Sequence, residues 1–154
     1  MKKILFAASE AVPFMKTGGL ADVTGSLPKY FDKKNYDVRV ILPKYVCMEE
    51  RWKGQLHFLC HFYVNLSWRK QYVGIFETTY DGITYYLVDN EFYFAGNAPY
   101  NNIYEDVEKF AFFSKAVLEA LPYLDFCPDI IHCHDWQTGL LPVFLRTLYG
   151  DEEY

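Results

Sequence analysis

Lys16-Thr17-Gly18-Gly19-Leu20-Ala21-Asp22-Val23 stands shortly after the apolar run Ile4-Leu5-Phe6-Ala7-Ala8-Ser9 and opens a predicted helix. A short apolar run bounded by polar residues reads as a buried strand. A strand that leads into a glycine pair and a helix start is a place to hold an anion. The N–H groups of a first helical turn have no partner within the helix, and the helix dipole favours negative charge there. Gly18 and Gly19 carry no Cβ to keep a ligand away from the backbone. Lys16 adds a full positive charge. The stretch points to a phosphate or diphosphate, against the plain alternative of a turn with a solvated lysine.

Working outward, Glu10 to Thr17 reads as a loop containing Pro13, and Gly18 to about Asp32 as a helix with Leu20, Val23, Leu27 and Phe31 on its apolar face. Pro28 kinks or shortens that helix. Asp37-Val38-Arg39-Val40-Ile41-Leu42 is a second strand, stopped by Pro43. Strand, helix and strand in so short a span make a βαβ unit with a parallel pair. Gln55–Leu66 and Gln71–Thr79 alternate and are rich in aromatic and β-branched residues. Asp81-Gly82 is a hairpin turn before Ile83–Val88. This middle section reads as a β-rich insertion that returns to the sheet.

Asp89 to Tyr104 reads as a long loop, functional or mobile by its length. Glu105 to Leu121 is the clearest helix, with Phe110, Phe113, Val117, Leu118 and Leu121 on one stripe. Pro128–His134 reads as a strand, His134–Gly139 as the turn after it, and Leu140–Tyr149 as a final helix. The pattern is an α/β fold, an open, mostly parallel sheet, in which ligands bind outside the carboxyl ends of strands. The Lys16 and His134 loops both follow such ends and can face one crevice.

Composition narrows the function. The chain has 154 residues, 51% hydrophobic and 23% charged, as a soluble globular domain has. A net charge of −5 argues against a nucleic-acid partner. No apolar run is long enough to span a membrane, and the amino terminus does not read as a signal peptide, so a cytoplasmic location is expected. Cys47, Cys60, Cys127 and Cys133 show no Cys-x-x-Cys spacing and read as free thiols. The fourteen Tyr and thirteen Phe are read first as packing residues, with sugar stacking as the functional alternative.

The chemistry-bearing candidates are few. The chain lacks Gly-x-Gly-x-x-Gly after its first strand and lacks the P-loop pattern, which excludes a nicotinamide fingerprint and a P-loop enzyme. His132, His134 and Asp135 have no further ligand at supporting spacing for a metal. A His134 in the loop can bond a sugar hydroxyl or stabilise developing charge. His132 reads as structural, buried near the strand end with a backbone partner. Trp136 reads first as a packing anchor of the loop, with shaping of the pocket wall as the alternative. Glu10 either touches the pocket or pairs with Lys16. Asp106 and Glu108 read as first-turn acids that suit the helix dipole.

Ser9-Glu10 with Pro13, then Lys16 to Val23, then His132-Cys133-His134-Asp135-Trp136-Gln137-Thr138-Gly139 resembles bacterial glycogen synthases and the related starch synthases. The resemblance runs from Met1 to Tyr149. It implies GT-B architecture: two Rossmann-like domains facing across a cleft. Residues 1–154 would be the N-terminal, acceptor-side domain, with the C-terminal nucleotide-binding domain outside this chain. It implies that Lys16 contacts the donor phosphate, that Gly18 and Gly19 bring helix N–H groups to it, that Asp22 orders the glycine turn, and that His134 bonds the donor glucose as the catalytic residue.

The reaction implied is retaining transfer of glucose from ADP-glucose to the non-reducing end of an α-1,4-glucan such as glycogen, without a cofactor or metal. A chain lacking the second domain is expected to be inactive alone. Two other readings stay open: another GT-B glucosyltransferase, for example one with UDP-glucose as donor, and a stand-alone glucan- or nucleotide-sugar-binding module. In this family pattern Glu105 stands where an Asp is usual, and the loop Phe92–Tyr100 lacks an expected basic residue.

Overall fold

The computed structural model describes residues 1–151. Its strands are β1 (Lys2–Ala7), β2 (Tyr36–Pro43), β3 (His57–Leu66), β4 (Arg69–Tyr80), β5 (Ile83–Asp89) and β6 (Ile130–Cys133). They form a single sheet in the order β3-β4-β5-β2-β1-β6. β1 pairs in parallel with β2 and with β6, and β2 in parallel with β5. β3, β4 and β5 form an antiparallel meander. The expected β-rich insertion is therefore the far half of the same sheet. Asp81 (φ 50°) and Gly82 (φ 77°) both turn left-handed, the geometry of a two-residue hairpin loop whose twist matches the flanking strands.

Strand alternation divides the apolar residues into two cores. Leu5, Ala7, Ile41, Tyr86 and Val88 face one side, where α3 (Ile103–Ala120) covers them with Phe110, Phe113, Val117 and Leu118. α4 (Leu140–Leu148) packs beside α3 and adds Leu141 to that core. Ile4, Phe6, Val38, Val40, Leu42, Tyr85 and Leu87 face the other side, under Ala11, Phe14, Met48 and Trp52. The Trp52 ring belongs to α2 (Glu50–Lys53), a single turn before β3.

α1 (Gly19–Ser26) lies on this second side but buries a different face from the one the sequence predicts. Val23 is 49% exposed and Leu27 36%, while Ala21, Thr24 and Gly25 are buried. The helix packs by its small residues onto the Ala11–Met15 loop: a Cβ at Gly25 would lie 2.4 Å from Val12 Cγ2 and 2.6 Å from Val12 O. Close backbone approach, and not an apolar stripe, decided this helix. Pro28 ends it, and Leu27–Tyr30 continues as a 3-10 turn with Pro28 buried.

The segment between β5 and α3 is packed. Tyr93 and Phe94 are in the core. Asn90 Oδ1 accepts from the N–H groups of Phe92 and Tyr93, both at 2.9 Å, and Asn90 Nδ2 donates to Tyr72 O at 2.7 Å. Asn102 caps α3, its side chain accepting from the N–H groups of Tyr104 and Glu105. The helix therefore begins at Ile103, ahead of the predicted Glu105.

This topology fixes where a ligand can sit. β1 is joined through α1 to β2 on one side of it, while β6 arrives on the other side after α3. The segments that leave the carboxyl ends of β1 and β6 diverge to opposite faces of the sheet. Such a reversal of strand order opens a crevice at that edge.

Candidate functional site at the carboxyl ends of β1 and β6

The backbone after β1 is pinned at every step. Ala8 N donates to Ile41 O at 3.1 Å, extending the ladder one residue beyond the strand. The fully buried Ser9 gives its carbonyl to the Tyr45 hydroxyl and its Oγ to the Tyr100 hydroxyl, both at 2.7 Å. Burial raises the Tyr45 hydroxyl well above its ordinary pKa and pushes Tyr100 up to about 12, so both remain protonated. The chain then crosses the sheet end as the Ala11–Met15 loop and emerges into solvent at Lys16.

Lys16 meets Asp22, not Glu10. Its Nζ lies 2.9 and 2.8 Å from the two carboxylate oxygens of Asp22, and both side chains are 53% exposed. A pair this exposed is worth about 0–1 kcal/mol and yields readily to a better anion. The Glu10 carboxylate instead accepts from Thr17 N at 3.1 Å and Thr17 Oγ1 at 2.7 Å. Gly18 is the N-cap of α1 and gives the helix N-terminus no side-chain cap. Its φ of −162° is ordinary extended backbone, and a Cβ at Gly18 or Gly19 would meet nothing within 4 Å. Neither the fold nor the backbone demands glycine at these positions. The space in front of them is open to a ligand that comes close to the main chain.

His134 is the first residue past β6, with its N–H donating to Ala7 O at 3.1 Å. Its carbonyl accepts from Thr138 Oγ1 at 2.9 Å, which closes the turn. The ring lies against Phe6, centroids 4.9 Å apart, and against His132 at 4.2 Å. His134 is 9% exposed, and its Nε2 is buried without a partner among the described residues. Burial first, and the His132 charge second, lower its pKa to about 4. The imidazole is therefore neutral near pH 7, with one nitrogen unspent. Phe6 faces the α1 side of the sheet, so His134 shares that side with the helix whose N-terminus carries Gly18 and Gly19.

Asp135, next in the chain, has φ 63° and ψ −176°, a region that residues other than glycine rarely adopt. Its Oδ1 accepts from Trp136 N at 2.7 Å and caps the 3-10 turn Trp136–Thr138. The strain, of order 1–3 kcal/mol, is held by this cap and by Thr138. Gln137 is 6% exposed, and its Oε1 also lacks a partner among the described residues. Neither feature is visible in the sequence, where the segment reads only as a turn.

Several expectations change. His132 is exposed on the edge strand β6, its ring edge-on to Phe6 at 4.8 Å, and is not the buried residue the strand pattern suggests. β6 has no neighbour on its outer side among the described residues, which leaves alternate positions in water. Trp136 is 49% exposed and touches Phe110 edge-on at 5.6 Å, so it forms a wall more than an anchor. With Val107, Ala111, Gln137 and Leu140 these two rings line a groove of about 270 Å³.

Asp106 stands in the first turn of α3, as the sequence suggests, and is buried there. It accepts from Asn101 N and pairs with Lys109 at 3.3 Å, while Lys109 Nζ also donates to Pro99 O at 2.8 Å. This clamp holds the loop that carries Tyr100 to Ser9. Glu108 pairs with Arg69 at 3.1 Å. All four cysteines are free thiols. Among the described residues no helix is long and apolar enough to cross a membrane, and no His, Cys, Asp or Glu group is arranged to hold a metal ion.

The chain resembles known proteins along its whole length. The family profile described as starch synthase catalytic domain matches residues 3–154. A glycogen synthase from Lachnoclostridium phytofermentans is 66% identical over 154 residues, covering 100% of this chain and 32% of that protein. One from Lachnospira eligens is 61% identical over the same span, again 32% of its length. Among solved structures, the catalytic domain of starch synthase IV from Arabidopsis thaliana, bound to ADP and acarbose, superposes with a TM-score of 0.85 at 30% identity. The match covers 98% of this chain and 31% of that one. The chain thus spans about a third of the length of these relatives.

Proposed function

The chain belongs to the family of starch synthase catalytic domains, and we propose that it forms the N-terminal, acceptor-side domain of a two-domain GT-B glycosyltransferase. The whole enzyme transfers glucose from ADP-glucose to the non-reducing end of an α-1,4-glucan, with retention at the anomeric carbon. A nucleotide-binding C-terminal domain supplies the other wall of the cleft. The length of the relatives supports that division, as does the ADP and acarbose held by the Arabidopsis structure.

One observation carries the reading. The uncapped N-terminus of α1, with Lys16 beside it, and the buried, unspent Nε2 of His134 leave the carboxyl ends of two adjacent parallel strands. The leaving group is a nucleoside diphosphate, so negative charge grows on its bridging oxygen in the transition state. Lys16 and the α1 N–H groups at Gly18 and Gly19 are complementary to that charge and need no rearrangement. Lys16 exchanges Asp22 for the phosphate, and Asp22 holds the ammonium in place until then. His134, neutral at working pH, spends its nitrogen on a hydroxyl of the donor glucose and adds no cation beside a centre that becomes cationic.

The test is transfer of labelled glucose to glycogen by the full-length protein, with ADP-glucose and UDP-glucose as alternative donors. A preference for ADP-glucose with an α-configured product is expected. Efficient use of UDP-glucose alone would assign the protein to another GT-B activity, and glycogen binding without transfer from either donor would favour a binding module.

A further inference from the structure

Glu10 has no part in the chemistry just described, yet it is 2% exposed at the mouth of the crevice. Burying a carboxyl group is costly unless its oxygens are hydrogen-bonded. No cationic side chain among the described residues pairs with it. Its carboxylate bonds to the turn that carries Lys16 and also faces the Tyr100 hydroxyl, whose pKa it helps to raise. Thr17 N reaches Glu10 Oε2 at 3.1 Å and Thr17 Oγ1 reaches the same oxygen at 2.7 Å. The main-chain carbonyl of Glu10 accepts from Thr24 Oγ1 at 2.6 Å, and Thr24 is a fully buried residue of α1.

We propose that Glu10 is the positioning residue of the anion cradle: its side chain fixes Thr17, and so Lys16 and Gly18 on either side, while its carbonyl fixes α1. The proposal rests on reading the Lys16 turn as a diphosphate site. Glu10 can do this because it is itself immobile. Ser9, just before it, is held from two directions by the Tyr45 and Tyr100 hydroxyls, and β1 lies in the middle of the parallel strands. The line of support runs from the sheet through Glu10 to Thr17 and out to Lys16, whose side chain is otherwise held, among the described residues, by the exposed pair with Asp22. Groups meant to meet a growing charge are effective when they are held before the ligand arrives, and displacement of about 1 Å can cost about 100-fold in rate.

The test uses the full-length protein and four variants: Glu10→Ala, Glu10→Gln, Thr17→Val and the double variant Glu10→Ala with Thr17→Val. The readouts are inorganic pyrophosphate affinity by calorimetry, kcat/KM for ADP-glucose, KM for glycogen, and thermal midpoint. Glu10→Ala is expected to weaken pyrophosphate binding and to lower donor kcat/KM by about 10- to 100-fold, with the glycogen KM within about twofold of wild type. Thr17→Val, which loses one of the two bonds, is expected to cost about three- to tenfold. The double variant is expected to be no worse than Glu10→Ala, as for two residues acting through one contact. Glu10→Gln keeps an acceptor oxygen and restores most of the loss.

A merely structural Glu10 would lower the thermal midpoint while leaving pyrophosphate affinity and donor kcat/KM within about twofold, and that result overturns the proposal. Additive losses in the double variant, or equal changes in donor and glycogen parameters, overturn it as well. If Glu10→Ala does not fold, Thr17→Val and Glu10→Gln decide the matter alone. Absence of transfer by the wild-type protein, with pyrophosphate binding still sensitive to Glu10, would count against the glucosyltransferase reading and not against the positioning role.

Discussion

At the scale of the residue, His134 supplies a neutral imidazole where the strand pattern alone suggests no more than a loop histidine. Folded, it titrates at about 4, against 6.5 for an ordinary histidine. Between those values the unfolded chain binds more protons than the folded one. Stability from this source is therefore whole above about pH 6.5 and is lost as pH falls from there through about 4. Urea midpoints measured from pH 7.5 down to 4.5 are expected to fall over that window, and His134→Gln is expected to flatten the decline. In the full-length protein His134→Ala is expected to lower turnover far more than His132→Ala, because His132 stands exposed on an edge strand. Equal losses matched by equal drops in thermal midpoint would mean that both rings act only in packing. The sequence announced His134 by its place in a motif, and the structure places it just past β6 with its ring against Phe6. It did not announce the left-handed Asp135 or the unspent Gln137, since φ and hydrogen-bond debts depend on tertiary closure that no spacing encodes.

At the scale of the element, α1 separates what patterning reveals from what it hides. The predicted stripe of Leu20, Val23 and Leu27 assumed that the helix buries its apolar face, as α3 does with Phe110, Phe113 and Val117. α3 lies flat on the sheet, so its stripe was legible and its core list held. α1 rests on a loop, and only small side chains fit between the two backbones. Gly25→Ala is expected to destabilise the protein by about 1–3 kcal/mol, since the new methyl group meets the Val12 backbone and has nowhere to go. Val23→Ala, on the exposed face, is expected to change the urea midpoint by no more than about 0.5 kcal/mol in free energy. The reverse ranking of these two substitutions would restore the original reading of the helix. The start of α3 at Ile103 was missed because the run Asn101-Asn102 reads as loop, although Asn is among the preferred caps.

At the scale of the whole molecule, the βαβ unit, the hairpin, the final strand and the return of the β-rich insertion to the sheet were each legible, but the strand pairing that joins them was not. The alternation of β3 to β5 reads the same whether they form a separate layer or extend the parallel strands. What settles it is pairing of β5 with β2, a long-range contact with no local signature. That sheet brings the Lys16 turn and His134 to the carboxyl ends of two adjacent parallel strands, the first exposed and the second buried. The central claim is that Lys16 meets the donor diphosphate. The measurement that tests it most directly is the rate of glucose transfer from ADP-glucose to glycogen by the full-length protein and its Lys16→Ala variant, with thermal midpoints taken alongside. Because Lys16 is half exposed and its ion pair is weak, the account predicts an unchanged midpoint and a fall in turnover on the order of 100-fold or more. Near-normal transfer by the Lys16→Ala variant would contradict the account.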